Sequence, residues 1–318
     1  MNSRIKWGVL GFARIARNSV IPAILQANNA AFHAIASRDA EKLQACQAQF
    51  GPQKTYRSYD ALLDDANIQA VYIPLPNSLH KEWVIKAALK GKHILCEKPL
   101  ALSAADAQEM IDVCQLQGVT LMEAFMYRYT ARTKQVQEIV QSGELGEIKS
   151  INSTFGILLT NEQSIKWQPE LGGGSLYDVG SYPVNFVGML AQADPVSVSA
   201  EFVMQNKVDS MAIALLRYQN GLIATVNSWF TAARTVESAI MGTKGKLIVP
   251  DTFSGNEGKL TLITTDRERK ITVPASDRYL LEVQDFSDAL LQKRPPLFSL
   301  QESLRNMRAI DQILACKL

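Results

Sequence analysis

The chain has 318 residues, 47% hydrophobic and 20% charged, and its 33 Lys+Arg against 31 Asp+Glu leave a formal charge of +2. At about 100–200 residues per domain this fits a two-domain globular protein and argues against disorder. Near-neutrality gives no support for a nucleic-acid or anionic-membrane surface, and no run reaches the roughly 18 apolar residues that a bilayer-spanning helix needs.

Up to about residue 122, short apolar runs alternate with helix-like segments. The pattern predicts strands at 5–10, 31–36, 70–73, 93–96 and 120–123. Helices are expected at 15–27, 40–50, 58–63, 81–90 and 103–117. Pro22 is expected to kink or interrupt the first helix, and Ser58 to cap the third. Gly91 and Gly118 mark the ends of the fourth and fifth. Such alternation implies a parallel sheet covered on both faces. From residue 123 the rhythm changes. A helix at 132–141 is followed by extended runs at 148–155, 196–204, 211–218, 222–229, 237–241, 246–249, 259–264 and 269–273. Gln219-Asn220-Gly221 is a hairpin signal. Helices are expected at 181–190, 279–292 and 300–315. The fold class is therefore α/β followed by α+β: a parallel-sheet domain over 1–122, the class of sheet to which dinucleotide-binding Rossmann domains belong, then a domain over 123–318 on a mostly antiparallel open sheet. The C-terminal helix is expected to pack back on the first domain.

The four cysteines, Cys46, Cys96, Cys114 and Cys316, form no C-x-x-C pair and are too sparse for a disulfide framework. His33, His80 and His93 show no zinc spacing, so no metal is expected. The opening MNSRIKWGVLGF lacks the apolar run of a signal peptide, and a cytoplasmic setting is the default.

Gly8-Val9-Leu10-Gly11-Phe12-Ala13-Arg14-Ile15-Ala16 joins the first strand to the first helix. In a dinucleotide fold the pyrophosphate sits at such a helix start, where free N–H groups and the positive dipole end meet it. Ala13 stands where G-x-G-x-x-G/A has its second glycine, and an ordinary strand–helix turn fits these residues as well. The second strand ends in Ser37-Arg38 rather than in the acidic residue that binds an NAD ribose about 20 positions on. A hydroxyl and a guanidinium, with Lys42 one helical turn away, suit a 2′-phosphate and point to NADP in preference to NAD. The opposing reading leaves Arg38 in solvent and gives the ribose to Asp39.

At His93-Ile94-Leu95-Cys96-Glu97-Lys98-Pro99-Leu100 the sequence becomes specific. Glu97-Lys98-Pro99 at a strand end strongly resembles the Gfo/Idh/MocA oxidoreductases. The segments Ile73-Pro74-Leu75-Pro76-Asn77-Ser78-Leu79-His80, Met122 to Tyr129 and Gly172 to Tyr182 agree with it. The chain looks most similar to the branch of NADP-dependent D-xylose dehydrogenases, dimeric dihydrodiol dehydrogenases and sugar ketoreductases. That branch often shows Gly-x-Ala-Arg-Ile-Ala at the glycine turn.

The resemblance implies a cis Lys98–Pro99 bond, and contacts near the cofactor from Leu75, Asn77, His80, Glu97, Lys98 and Arg128. Lys98 lies where open parallel sheets bind ligands, and its ammonium can hold a carbonyl or hydroxyl oxygen. Asp178 and Tyr182, four residues apart, share one face if the segment is helical. Phenol, with a pKa near 10, is a poor base at neutral pH unless a cation such as Lys98 stabilises the phenolate. Alternatives stay open at several positions. Tyr182 could pack at a domain boundary, His80 could cap the following helix and Arg128 could form a plain salt bridge. Phe155 and Trp167 are candidates for an apolar wall against a sugar ring, though core packing is the commoner fate of such aromatics. The expected activity is NADP-dependent hydride transfer at a hydroxyl- or carbonyl-bearing carbon of a sugar or polyol, with Lys98, Tyr182 and Asp178 as catalytic residues. The rivals are a redox-neutral enzyme that retains its nucleotide and a non-catalytic sensor. The resemblance also implies a homodimer, or a larger homo-oligomer, built through the second sheet.

Overall fold

The computed structural model describes residues 4–317, so the expected domain limits at 1 and 318 lie outside the described residues. It divides into two units. One runs to Met126 and takes in Tyr279–Leu300; the other comprises Tyr127–Arg278 and the segment from Gln301 on.

In the first unit, β1 (Ile5–Leu10), β2 (Ala30–Ala36), β3 (Lys54–Tyr56), β4 (Ala70–Ile73), β5 (His93–Glu97) and β6 (Leu121–Ala124) form a parallel sheet in the order β3-β2-β1-β4-β5-β6. β4 and β6 are buried at every position, as strands covered on both faces must be. The helices are α1 (Ile21–Gln26), α2 (Ala40–Phe50), α3 (Tyr59–Leu63), α4 (His80–Leu89) and α5 (Ala104–Leu116). The side chains of Asp39, Ser58 and Ser103 accept backbone N–H groups at the starts of α2, α3 and α5. Pro22 does not break its helix. A π turn over Ala16–Val20 precedes it, with Ile21 N–H donating to Ala16 O. This turn starts α1 afresh, so that the proline sits in a first turn, where a missing N–H costs least. The three-residue edge strand β3 was not expected; Lys-Thr-Tyr carries no apolar pattern.

In the second unit the strands are β7 (Ile148–Leu158), β8 (Ser197–Gln205), β9 (Val208–Arg217), β10 (Ile223–Trp229), β11 (Thr231–Gly242), β12 (Gly245–Pro250), β13 (Gly258–Thr264) and β14 (Glu268–Val273). They form a sheet in the order β14-β13-β12-β11-β7-β10-β9-β8. β7 and β10 pair in parallel, and the other neighbours are antiparallel. The expected hairpin joins β9 to β10, with Tyr218 N–H donating to Leu222 O at 2.9 Å. After β6 the chain forms the helices α6 (Ala131–Gln141), α7 (Ser181–Ala191), α8 (Arg278–Gln292) and α9 (Leu300–Leu314), of which α8 falls in the first unit. α7, buried from Ser181 to Val187, lies against β7 and β10. On β9 alternate residues from Met211 on face out, leaving Ile213 46% and Leu215 42% exposed.

The return to the first unit is made by α8 rather than by the last helix. Phe286 packs on Trp7 with ring centroids 5.3 Å apart, and Trp7 Nε1 donates to Ser287 Oγ at 3.2 Å. Asn29 Nδ2 donates to Asp288 at 2.7 Å and to Gln284 O at 2.9 Å. α9 belongs to the second unit. Because Trp7 and Phe286 are completely buried, Phe286→Ala should cost about 3–5 kcal/mol in urea unfolding. A loss below about 1 kcal/mol would show that α8 is dispensable to this core.

Candidate active site

In the first unit, the turn after β1 is shaped by Gly11, whose φ of +98° excludes most side chains and whose N–H donates to Ala36 O at 2.8 Å. Gly8 gives room instead to Leu62, whose Cδ2 would lie 2.8 Å from a Cβ there. Phe12 is buried edge-on against Phe50. The turn and the start of α2 border an open cleft of about 550 Å³, lined among others by Phe12, Arg14, Arg17, Asp39 and Lys42. The lining sets three cations, Arg14, Arg17 and Lys42, against two carboxylates, Asp39 and Glu41, and Lys42 lies 3.9 Å from Asp39. Ser37 is buried, and its Oγ accepts the Asp39 N–H at 3.2 Å. Asp39 Oδ1 accepts from the N–H groups of Glu41 and Lys42, so this carboxylate is already committed as the cap of α2. Arg38 lies over the Tyr59 ring, 5.9 Å from its centroid.

The loops leaving β4 and β5 are tied together by His80. The ring is completely buried, with Nδ1 2.9 Å from Pro99 O and Nε2 2.9 Å from Leu75 O. It therefore bridges two loops rather than capping α4. Burial above all holds this imidazole below its ordinary pKa, and the Lys98 charge adds to that, against the opposing pull of the carbonyl contacts. The Lys98–Pro99 bond is cis, as the resemblance implies. Glu97 accepts from Tyr72 Oη at 2.5 Å and from the Lys98 N–H at 3.3 Å. Burial, then the Glu97 charge, pushes the Tyr72 phenol well above its usual pKa. Glu123 of β6, completely buried, accepts the Leu100 N–H at 2.8 Å. Tyr72 and Glu123 were not singled out from sequence. A glutamate inside the apolar strand Leu121-Met122-Glu123-Ala124 was the available signal.

In the second unit, Asp178 lies in a π turn over Leu176–Gly180, and Tyr182 lies in the first turn of α7 that follows. Asp178 forms an ion pair with Lys166 at 2.6 Å. Tyr182 is 7% exposed, with ring centroids of Phe155 at 5.3 Å, Phe253 at 5.6 Å and Tyr127 at 6.0 Å. Phe155 stacks on Phe253 at 5.7 Å. Trp167 is buried edge-on against Phe230 at 5.2 Å. Arg128 forms a salt bridge, with Nη2 2.7 Å from Glu302 Oε1, and its Nη1 lies 3.4 Å from Asn185 Oδ1. Phe253 was not anticipated, because it sits on the loop after β12. Buried Arg132 fixes that loop by donating to Pro250 O at 2.5 Å and to Glu257 O at 2.9 Å.

Comparison with known proteins agrees with this arrangement. Residues 5–125 match the family model described as "Oxidoreductase family, NAD-binding Rossmann fold", and residues 133–248 match the GFO/IDH/MocA C-terminal domain. The chain is 39% identical over 312 residues to D-xylose 1-dehydrogenase (NADP(+)) 2 of Haloferax volcanii, covering 96% of this chain and 95% of the relative. It is 31% identical to trans-1,2-dihydrobenzene-1,2-diol dehydrogenase of Xenopus tropicalis, over 97% of each chain. A crystal structure of a 3-ketoreductase from Actinomadura kijaniata, in complex with NADP and TDP-benzene, superimposes with a TM-score of 0.92 at 29% identity, over 98% of each chain. With both halves matched and relatives aligned along nearly its whole length, the chain belongs to the Gfo/Idh/MocA oxidoreductase family.

Proposed function

We propose that this chain is an NADP-dependent oxidoreductase that moves a hydride between nicotinamide and a hydroxyl- or carbonyl-bearing carbon of a sugar or related polyol. The observation that carries the reading is the placing of Lys98. It follows an interior strand of the parallel sheet at its carboxyl end, on a loop pinned by His80 and Glu123. The glycine turn and the cleft bearing Arg14, Arg17 and Lys42 fit a phosphorylated dinucleotide. Ser37, Arg38 and Lys42 then favour the 2′-phosphate, and Asp39 is engaged as a helix cap. The D-xylose dehydrogenase relative is named for NADP(+), and the reductase structure holds NADP, which supports the same cofactor here.

The bound nucleotide supplies or accepts the hydride. In oxidation, Tyr182 removes the hydroxyl proton while the Lys98 ammonium holds the oxygen; in reduction, Tyr182 returns the proton. Asp178 orients substrate hydroxyls, and its pairing with Lys166 fixes the carboxylate. Leu75, Asn77, Glu97 and Arg128 serve by shaping the cofactor side, and Phe155 and Trp167 by shaping an apolar wall. We place the enzyme in the cytoplasm, on the support of four free cysteines. Among the described residues no helix is long and apolar enough to cross a membrane.

Lys98→Met and Tyr182→Phe should each lower kcat by about 100-fold or more, with NADPH affinity held within about threefold. kcat/KM should be higher with NADP than with NAD. Turnover of either variant near that of the parent enzyme, on a panel of aldoses and ketoses, overturns the catalytic assignment.

The open face of the second sheet carries Val203, Ile213 and Leu215, each more than 40% exposed. A second copy packed face to face would cover them. Light scattering at micromolar concentration should report a homodimer or larger; a monomer refutes this.

A further inference from the structure

We infer that Asp209 is a positioning residue for the reaction: it fixes the start of the helical segment that carries Asp178 and Tyr182. This inference rests on the roles proposed above for those two residues. Asp209 lies on β9 and is 1% exposed. Its Oδ2 accepts from Leu176 N at 2.7 Å and from Ser175 Oγ at 2.9 Å, and its Oδ1 from Lys317 Nζ at 3.1 Å. Ser175 Oγ also lies 3.0 Å from Ser228 Oγ on β10. The loop before the segment is built to reach this carboxylate. Gly174 has φ +119°, and a Cβ there would lie 2.6 Å from Asp209 Oδ1.

The geometry has a direct consequence for Tyr182. Leu176 is the first residue of the π turn, and an N–H at a helix start has no partner within its helix. A carboxylate is the acceptor best suited to it, because it also meets the positive end of the helix dipole. Asp178 is two residues beyond this anchor and Tyr182 six. The π turn over Leu176–Gly180 holds one residue more than an α turn would, a less common backbone register that the Leu176 anchor helps to keep. Released at Leu176, it can relax by one residue into regular helix. That would rotate Asp178 about 100° relative to Tyr182. Lys317 supplies the countercharge that lets a carboxylate stay buried at this point.

The test measures kcat per NADPH-binding site, the KM for NADPH and the melting temperature. Asp209→Ala should lower kcat by about tenfold or more while the KM for NADPH stays within about twofold. Asp209→Asn keeps one acceptor oxygen but turns an NH2 group toward Lys317. The double variant Asp209→Asn with Lys317→Met removes that conflict and should recover kcat to within about threefold of the parent. A purely architectural aspartate would instead lower the melting temperature and leave kcat per site unchanged, which overturns the inference. Should Asp209→Ala not fold, Ser175→Ala removes a single donor. It should lower kcat several-fold at constant KM for NADPH, and an unchanged kcat again overturns the inference. Tyr182→Phe separates the two levels. If that variant keeps full turnover, the functional reading fails and the positioning role falls with it. If it is inactive while Asp209→Ala is not, the positioning role alone falls.

Discussion

Buried backbone groups at the carboxyl ends of parallel strands must find partners, and in the first unit they find side chains. The Leu75 and Pro99 carbonyls, on loops that leave two neighbouring strands, both face the His80 ring. The Leu100 N–H is taken by Glu123 from the next strand over. Three consecutive strands are thereby locked at the edge where a ligand would sit. The backbone around Lys98 cannot shift without leaving a buried polar group unpaired, which costs about 1–3 kcal/mol for each group. A flexible lysine on a rigid loop gives a mobile charge a fixed origin. A neutral imidazole donates through only one nitrogen, so the two carbonyls compete for one proton. Burial keeps the ring on the neutral side of that balance.

Much of this was legible in the sequence because the signals were local. Apolar runs between helix-like segments marked the parallel sheet, and Ser58 and Gln219-Asn220-Gly221 marked a cap and a hairpin. The Glu97-Lys98-Pro99 strand end drew attention to a loop that the fold pins from two sides. What escaped depends on distant partners or on backbone detail. The edge strand β3 is polar and three residues long, so it is defined by its pairing with β2 and by no pattern of its own. The π turns before α1 and α7 reveal themselves only in hydrogen-bond register. Arg128 shows the same limit. Its neighbours in sequence gave no hint of Glu302, 174 positions on.

The supporting residues form a class that single-residue reasoning passes over. Tyr72, Glu123, Arg132 and Asp209 were not singled out from the sequence, and each is a polar side chain in an apolar stretch or beside a loop. Each is buried or nearly so, and each holds a backbone group or an opposed side chain by a hydrogen bond. A polar residue inside an apolar strand has to be paired, and its partner is most often a loop that would otherwise be free to move. Glu123 within Leu121-Met122-Glu123-Ala124 and Asp209 near the start of β9 both fit that description. The rule finds the residue; only the fold finds which loop it holds.

The surroundings of Tyr182 explain why a single tyrosine would not suffice. Phe155, Phe253 and Tyr127 crowd its ring, so the segment is held by packing as well as by its backbone. Aromatic faces offer little to a developing oxyanion, and charge that forms there has to be met by a donor from elsewhere. In the second unit Lys166 is paired with Asp178 and Arg128 with Glu302. The two roles proposed above rest on two separate supports: the phenol of Tyr182 on aromatic packing in the second unit, and the ammonium of Lys98 on a loop pinned by His80 and Glu123 in the first.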